Sequence, residues 1–194
     1  MTDQISINKI TKPLVEELIE NVDQLNLGMT TSSGGAKLID AGINHKGCLE
    51  SGRLITEICM GGLGTVSLSM NNTFEKWPLS VDVHSTNPVL SCLASQYAGW
   101  SLSHVKDEEN FNALGSGPCR SLACKEELFT DLGYKDKFFS TVAVMEVDTT
   151  PPQEIIDKIV NDCNISEKNL TVILTPTRSF SGCVQIVGRV LEVG

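Results

Sequence analysis

The chain has 194 residues, with 15 basic against 24 acidic side chains and a formal net charge of −9. That length suits one large or two small domains with core enough to fold unaided, and 41% hydrophobic with 20% charged residues is a globular rather than a disordered composition. The acidic balance argues against a nucleic-acid footprint or a basic membrane-binding surface, no apolar run reaches the roughly 18 residues of a membrane span, and the N-terminal MTDQISINKI lacks the apolar stretch of a signal peptide.

In chain order, Thr11 is predicted to cap a helix with Pro13 in its first turn. Leu14, Val15, Leu18, Ile19, Val22 and Leu25 recur at helical spacing until Gly28 ends it. Ala36 to Cys48, apolar in patches and broken by glycines, reads as two strands, and Glu50 to Cys59 as a short helix before the Gly61-Gly62-x-Gly64 cluster. Thr65 to Met70 and Leu79 to His84 alternate like half-buried strands. Pro88 opens a further helix that stops at Gly99, and Trp100 to Val105 is strand-like. A tight turn at Gly115-Ser116-Gly117-Pro118 precedes a helical pattern from Cys119 to Phe129. Phe138 to Val147 is a strand apolar enough to be buried on both faces, Pro151 and Pro152 begin a helix running to about Cys163, and Leu170 to Leu174 is a last strand. The closing SFSGCVQIVGRVLEVG fits a helical face through Val184, Val187 and Leu191, yet also alternates through Val184, Ile186, Gly188 and Val190; helix is preferred. The mixed order of elements predicts an α/β fold of mixed α+β layers.

Chemistry has three candidate places. GSGPCR, Gly115 to Arg120, combines glycines that admit close backbone approach with a helix start whose N–H groups attract anions, and Arg120 adds a charge. A plain turn is the bland alternative, and the spacings of phosphate-loop and dinucleotide motifs are absent. MGGLG, Met60 to Gly64, reads the same way. Arg189 and Glu192, three apart on a helix, share one face, which alone describes a solvated ion pair. Thr177 and Arg178 follow the last strand, where α/β folds often build sites. A thiol nucleophile would need His84 or His104 beside Cys119, and a buried inert cysteine is the simpler reading. Seven cysteines, odd in number and without a CxxC pair, point to reduced thiols in a cytoplasmic setting. The three histidines lack ligand spacing, so no metal site is expected.

Four segments together resemble methenyltetrahydromethanopterin cyclohydrolase, an archaeal one-carbon enzyme also found in some methylotrophic bacteria. They are EICMGGLGTVSL (Glu57 to Leu68), NPVLSCLASQYAGW (Asn87 to Trp100), ALGSGPCRSLA (Ala113 to Ala123) and TPT with SGCVQIVGRVLE (Thr175 to Glu192), in the family's order. The resemblance implies a reversible reaction of methanogenesis or one-carbon oxidation. Water adds to the cationic methenyl carbon bridging two nitrogens of a tetrahydromethanopterin, and the adduct opens to the N5-formyl compound. It implies no metal or redox cofactor, a pterin as the small-molecule partner, and a homotrimer of two-domain subunits. Residues 1–194 would then be the N-terminal portion, one α/β domain plus part of a second, with the C-terminal remainder of the family's chain absent. By resemblance the catalytic pair falls on Arg189 and Glu192. Glu192 would activate water, and Arg189 would orient that carboxylate and stabilise its charge. Gly115, Ser116, Gly117 and Arg120 would bind the pterin or a phosphate of its tail. The alternative is a pterin-binding domain without turnover.

Overall fold

The computed structural model describes residues 4–106 and 109–194. Its centre is a six-stranded sheet. Strands β1 (Gly28–Thr31) and β2 (Lys37–Asp40) form an antiparallel edge, and β8 (Leu170–Leu174) and β7 (Thr141–Met145) run parallel to β2. β6 (Glu109–Ser116) and β5 (Trp100–Lys106) close the other side antiparallel, giving the order β1-β2-β8-β7-β6-β5. β3 (Gly64–Phe74) and β4 (Trp77–Ser85) make a separate two-stranded ribbon.

Alternation along the strands sends two sets of side chains to opposite faces. Leu38, Trp100, Leu102, Ala143, Met145, Val172 and Leu174 meet Ile155, Ile156 and Ile159 of helix α5 (Gln153–Cys163) and Leu122 of α3 (Cys119–Ala123). Ile39, Val142, Val144 and Ile173 meet Val15 and Leu18 of α1 (Ile7–Glu20) and Leu54, Ile55 and Ile58 of α2 (Leu49–Cys59). That second helical layer covers β2, β8 and β7 but not the hairpin of β5 and β6, whose Ser101, Ser103 and Asn112 remain exposed. The mixed α/β expectation holds, and so does the final helix, found as α6 (Phe180–Gly188) followed by the single turn α7 (Val190–Val193). Val187 and Leu191, expected on the inner face of that helix, point outward.

Several boundaries differ for physical reasons. α1 starts at Ile7 because Ser6 Oγ accepts Lys9 N, and Thr11 lies inside the helix with its hydroxyl donating to Ile7 O. Only one strand forms between Ala36 and Cys48. The Asp40 carboxylate at its end gathers the N–H groups of Gly42, Ile43, Asn44 and His45 and turns the chain into a loop. The helix after Pro88 is a π-helix (Val89–Gln96), with Tyr97 N reaching Cys92 O. The pattern from Cys119 to Phe129 is split into α3 and α4 (Leu128–Leu132), because Cys124 adopts a left-handed conformation at φ 47°. β1 and β6 were not expected.

Candidate active site

Helix α6 lies on α2 through small residues. Ser51 and Ser181 hydroxyls meet at 2.6 Å. A Cβ on Gly52 would stand 2.6 Å from Val184 Cβ, and one on Gly188 would stand 2.5 Å from Thr56 Cγ2, so both positions demand glycine for close approach. Ser179 Oγ accepts Gly182 N and starts the helix, leaving its far end over the C-terminal end of β7.

Arg189 is the hinge residue between α6 and α7, at φ −83° and ψ −5°. Its guanidinium turns inward. Nη1 donates to Glu146 Oε1 at 2.6 Å and to Gln185 Oε1 at 3.3 Å, and Nη2 donates to Gln96 O at 2.9 Å. Gln185 Nε2 donates to the same Glu146 oxygen at 2.9 Å. Glu146 is the first residue past β7. Gln96 ends the π-helix; its carbonyl also receives Ser116 Oγ at 2.7 Å, and its buried side-chain amide has a partner at neither Nε2 nor Oε1 among the described residues. Arg189 and Glu146 face a cavity of about 330 Å³, lined further by Ala98, Ser101, Asn112 and Leu114, on the sheet face that no helix covers. Behind the pair, burial pushes the Cys59 thiol up to about 11, with Arg189 opposing only in part.

The residues predicted from sequence separate into two groups. Glu192 is on α7, partly exposed, one turn beyond Arg189, and its N–H donates to Arg189 O at 3.0 Å. The expected ion pair between them does not form. The helix breaks at Arg189, and the guanidinium pairs with Glu146 instead. The Gly115–Arg120 turn does not form the anion cradle expected of it. Gly115 and Ser116 pair with Met145 and Val144 in the sheet, and Gly117 N donates to Ser95 O at 2.9 Å. Arg120 is 0% exposed and held by Glu126 through Nε at 2.9 Å and Nη2 at 2.6 Å, with Nη1 on Leu93 O and Ser95 O. Four of its five N–H donors are engaged inside the protein, and none of the residue is exposed to a ligand. Gly61 and Gly62 adopt positive φ against Ile7 and Ile10 of α1, a packing turn. Arg178 makes an exposed pair with Asp148. Cys119 is buried, with burial the chief cause of a thiol held well above its ordinary range, and it donates to Ser116 O rather than to a histidine. Among the described residues, no group of three or more His, Cys, Asp or Glu side chains is placed to hold a metal.

Sequence reasoning missed Glu146, Gln185 and Gln96. Glu146 had a signal: it is the one charge in the apolar run FFSTVAVMEV, at the C-terminal end of a strand.

A fixed guanidinium paired with a carboxylate at the wall of an open cavity suits acid–base chemistry with a water molecule. The family model described as Cyclohydrolase (MCH) matches residues 6–194. The methenyltetrahydromethanopterin cyclohydrolase of Methylobacillus flagellatus is 57% identical over 188 residues, 97% of this chain and 56% of that protein. The proteins of the same name from Methylobacterium organophilum and Methanothermobacter marburgensis are 45% and 39% identical, over 97% and 98% of this chain and 58% and 59% of their own lengths. The chain spans little more than half the length of the curated relatives it matches. With nearly all of its residues inside that match, the chain belongs to the cyclohydrolase (MCH) family.

Proposed function

We propose that the protein carrying this chain hydrolyses the methenyl bridge of a tetrahydromethanopterin to the N5-formyl compound, reversibly. The observation that carries this reading is the Arg189 guanidinium, fixed at the wall of an open cavity with Glu192 one turn further along the chain. The methenyl carbon bridges two nitrogens and is already electrophilic, so a positioned water and a proton acceptor suffice. The reading therefore calls for neither a metal nor a redox cofactor.

Glu192 accepts the proton of the attacking water and returns it to the departing ring nitrogen. Arg189 has five N–H donors; three hydrogen bonds engage it within the protein, and the remaining donors are available to hold the water and the Glu192 carboxylate. The Glu146 carboxylate at the cavity wall favours a cationic substrate. The Gly115–Gly117 turn serves from behind, because Ser116 Oγ steadies the Gln96 carbonyl on which Arg189 rests. A homotrimer and a cytoplasmic setting belong to the same proposal. Support for the setting comes from the free state of all seven cysteines, and no helix among the described residues is long and apolar enough to cross a membrane.

The test follows the methenyl absorbance. The wild-type protein discharges it, and Glu192→Gln loses at least about 100-fold in kcat with substrate binding kept. Decay at the buffer rate in the wild type overturns the reaction, and near-normal activity in the variant removes Glu192 from it.

A further inference from the structure

We propose that Glu146 is the positioning residue that fixes Arg189 at the cavity wall, so that the reaction depends on a second carboxylate supplied by the sheet. This role rests on the reaction proposed above.

Arg189 alone is poorly placed to hold a geometry. It stands at a break between two helices, and its side chain is long and rich in rotamers. Glu146 is placed far better. It follows directly on β7, an interior strand whose last residue, Met145, is paired on both sides, with Gly115 and with Leu174. One of its oxygens receives two side-chain hydrogen bonds, from Arg189 Nη1 at 2.6 Å and from Gln185 Nε2 at 2.9 Å. Gln185 is one turn before Arg189 on α6, and its own Oε1 accepts Nη1 at 3.3 Å. The guanidinium is thus tied to the sheet, to its own helix and, through Gln96 O, to the π-helix. Charge-assisted bonds of this kind are short and directional, which is what positioning requires.

A purely structural ion pair looks different in this molecule. Arg120 and Glu126 are enclosed, with side-chain exposures of 0% and 13%. The Glu146 side chain is 35% exposed, its Oε2 has no hydrogen-bond partner among the described residues, and Glu146 and Arg189 are the charged residues among those lining the cavity. The pair faces the space where a substrate sits. Without Glu146 the guanidinium is free to swing to the carboxylate one turn further along, Glu192, and to cover the oxygen that must take the proton from water.

The experiment uses the protein as encoded, with Glu146→Leu, which removes charge and acceptor, and Glu146→Gln, which keeps an acceptor. Turnover is followed by methenyl absorbance and stability by thermal melting. The losses expected from charge-assisted hydrogen bonds are about 100-fold in kcat for Glu146→Leu and about 10-fold for Glu146→Gln, with KM within about 3-fold of wild type and, in Glu146→Gln, a melting temperature close to it. The partial recovery in Glu146→Gln is the signature of positioning, and it carries the test should Glu146→Leu fail to fold. Wild-type kcat in both variants, a loss confined to KM, or losses that track the melting temperature overturn the role of Glu146 while leaving the reaction standing. A wild type without turnover overturns the reaction first, and this role with it.

Discussion

Replacing Glu126 with alanine isolates the energetics of the most enclosed charge among the described residues. The Arg120 guanidinium has no solvent exposure, and Glu126 meets it with two oxygens at 2.6 and 2.9 Å. Removing one partner of a buried pair costs about 3–5 kcal/mol, because the other charge stays behind uncompensated. Two backbone carbonyls, of Leu93 and Ser95, still accept from Nη1, and the Tyr97 and Phe129 rings lie 5.1 and 5.3 Å from the guanidinium carbon. These place the expected loss at the lower end, about 3 kcal/mol. For a chain of this size that is a fall in Tm of roughly 6–12 °C, read by circular dichroism and checked by the urea midpoint at unchanged m. Arg120→Met combined with Glu126→Leu removes both charges and should melt within a few degrees of wild type or above it. Because Arg120 is turned away from the cavity, KM in that double variant should match wild type. A Glu126→Ala melting point within about 2 °C of wild type, or a double variant that melts below the single one, refutes the reasoning; a selective rise in KM returns Arg120 to the substrate.

Asp40 gives a pH signature. Burial acts to raise its carboxyl, but the His45 ring and the N–H groups of Gly42, Asn44 and Ile43 outweigh it and hold it at about 2, against an ordinary value of 3.8. Its contribution is therefore complete above about pH 5 and is lost as pH falls through 2, so Asp40→Asn should cost up to ~2 kcal/mol at pH 7 and little near pH 2, by urea unfolding at the two pH values. Gly188→Ala should cost ~1–3 kcal/mol and lower kcat, since its Cβ meets Thr56 and tilts the helix that ends at Arg189; Thr56→Ala in the same chain should recover part of both, and no recovery would dissociate the site from that packing. Iodoacetamide should label the exposed Cys183 first and leave turnover unchanged. Cys163 and Cys59 should be protected, since burial pushes their thiols up to about 12 and about 11, and inactivation at one label per chain would put a thiol into the chemistry.

What the sequence revealed depended on whether local pattern and tertiary environment agreed. β8 and α5 were legible because each carries its full signal locally, an unbroken apolar run in one case and a Pro-initiated amphipathic turn in the other. β1 was not, since its Met29, Thr30 and Thr31 are all exposed and only pairing with β2 makes it a strand. β6 carries two asparagines and a glycine, poor strand formers, and owes its form to the hairpin with β5. Arg189 and Glu192 were singled out by spacing and resemblance. That the two do not pair was hidden because two acceptors of Arg189, Glu146 and the Gln96 carbonyl, come from elements distant in sequence. Glu146 was illegible as a partner of Arg189 because they lie 43 residues apart and meet only when the sheet is assembled.

The order of the strands also bears on how the molecule is made. β2 pairs with β8, from Lys37 against Thr171 to Asp40 against Leu174, and Asn8 of α1 bonds Asp136 and Thr141. Partners about 130 residues apart leave the N-terminal layer waiting, at typical rates of synthesis, for roughly 7–30 s before its mate emerges. Meanwhile β7, α5 and β8 form a crossover between adjacent parallel strands from contiguous chain. The crossover is therefore the natural folding nucleus, with the N-terminal edge docking last. A nascent chain halted before Leu170 displays the apolar face of α1 and α2 to whatever is near, and refolding should be limited by closure of that long loop.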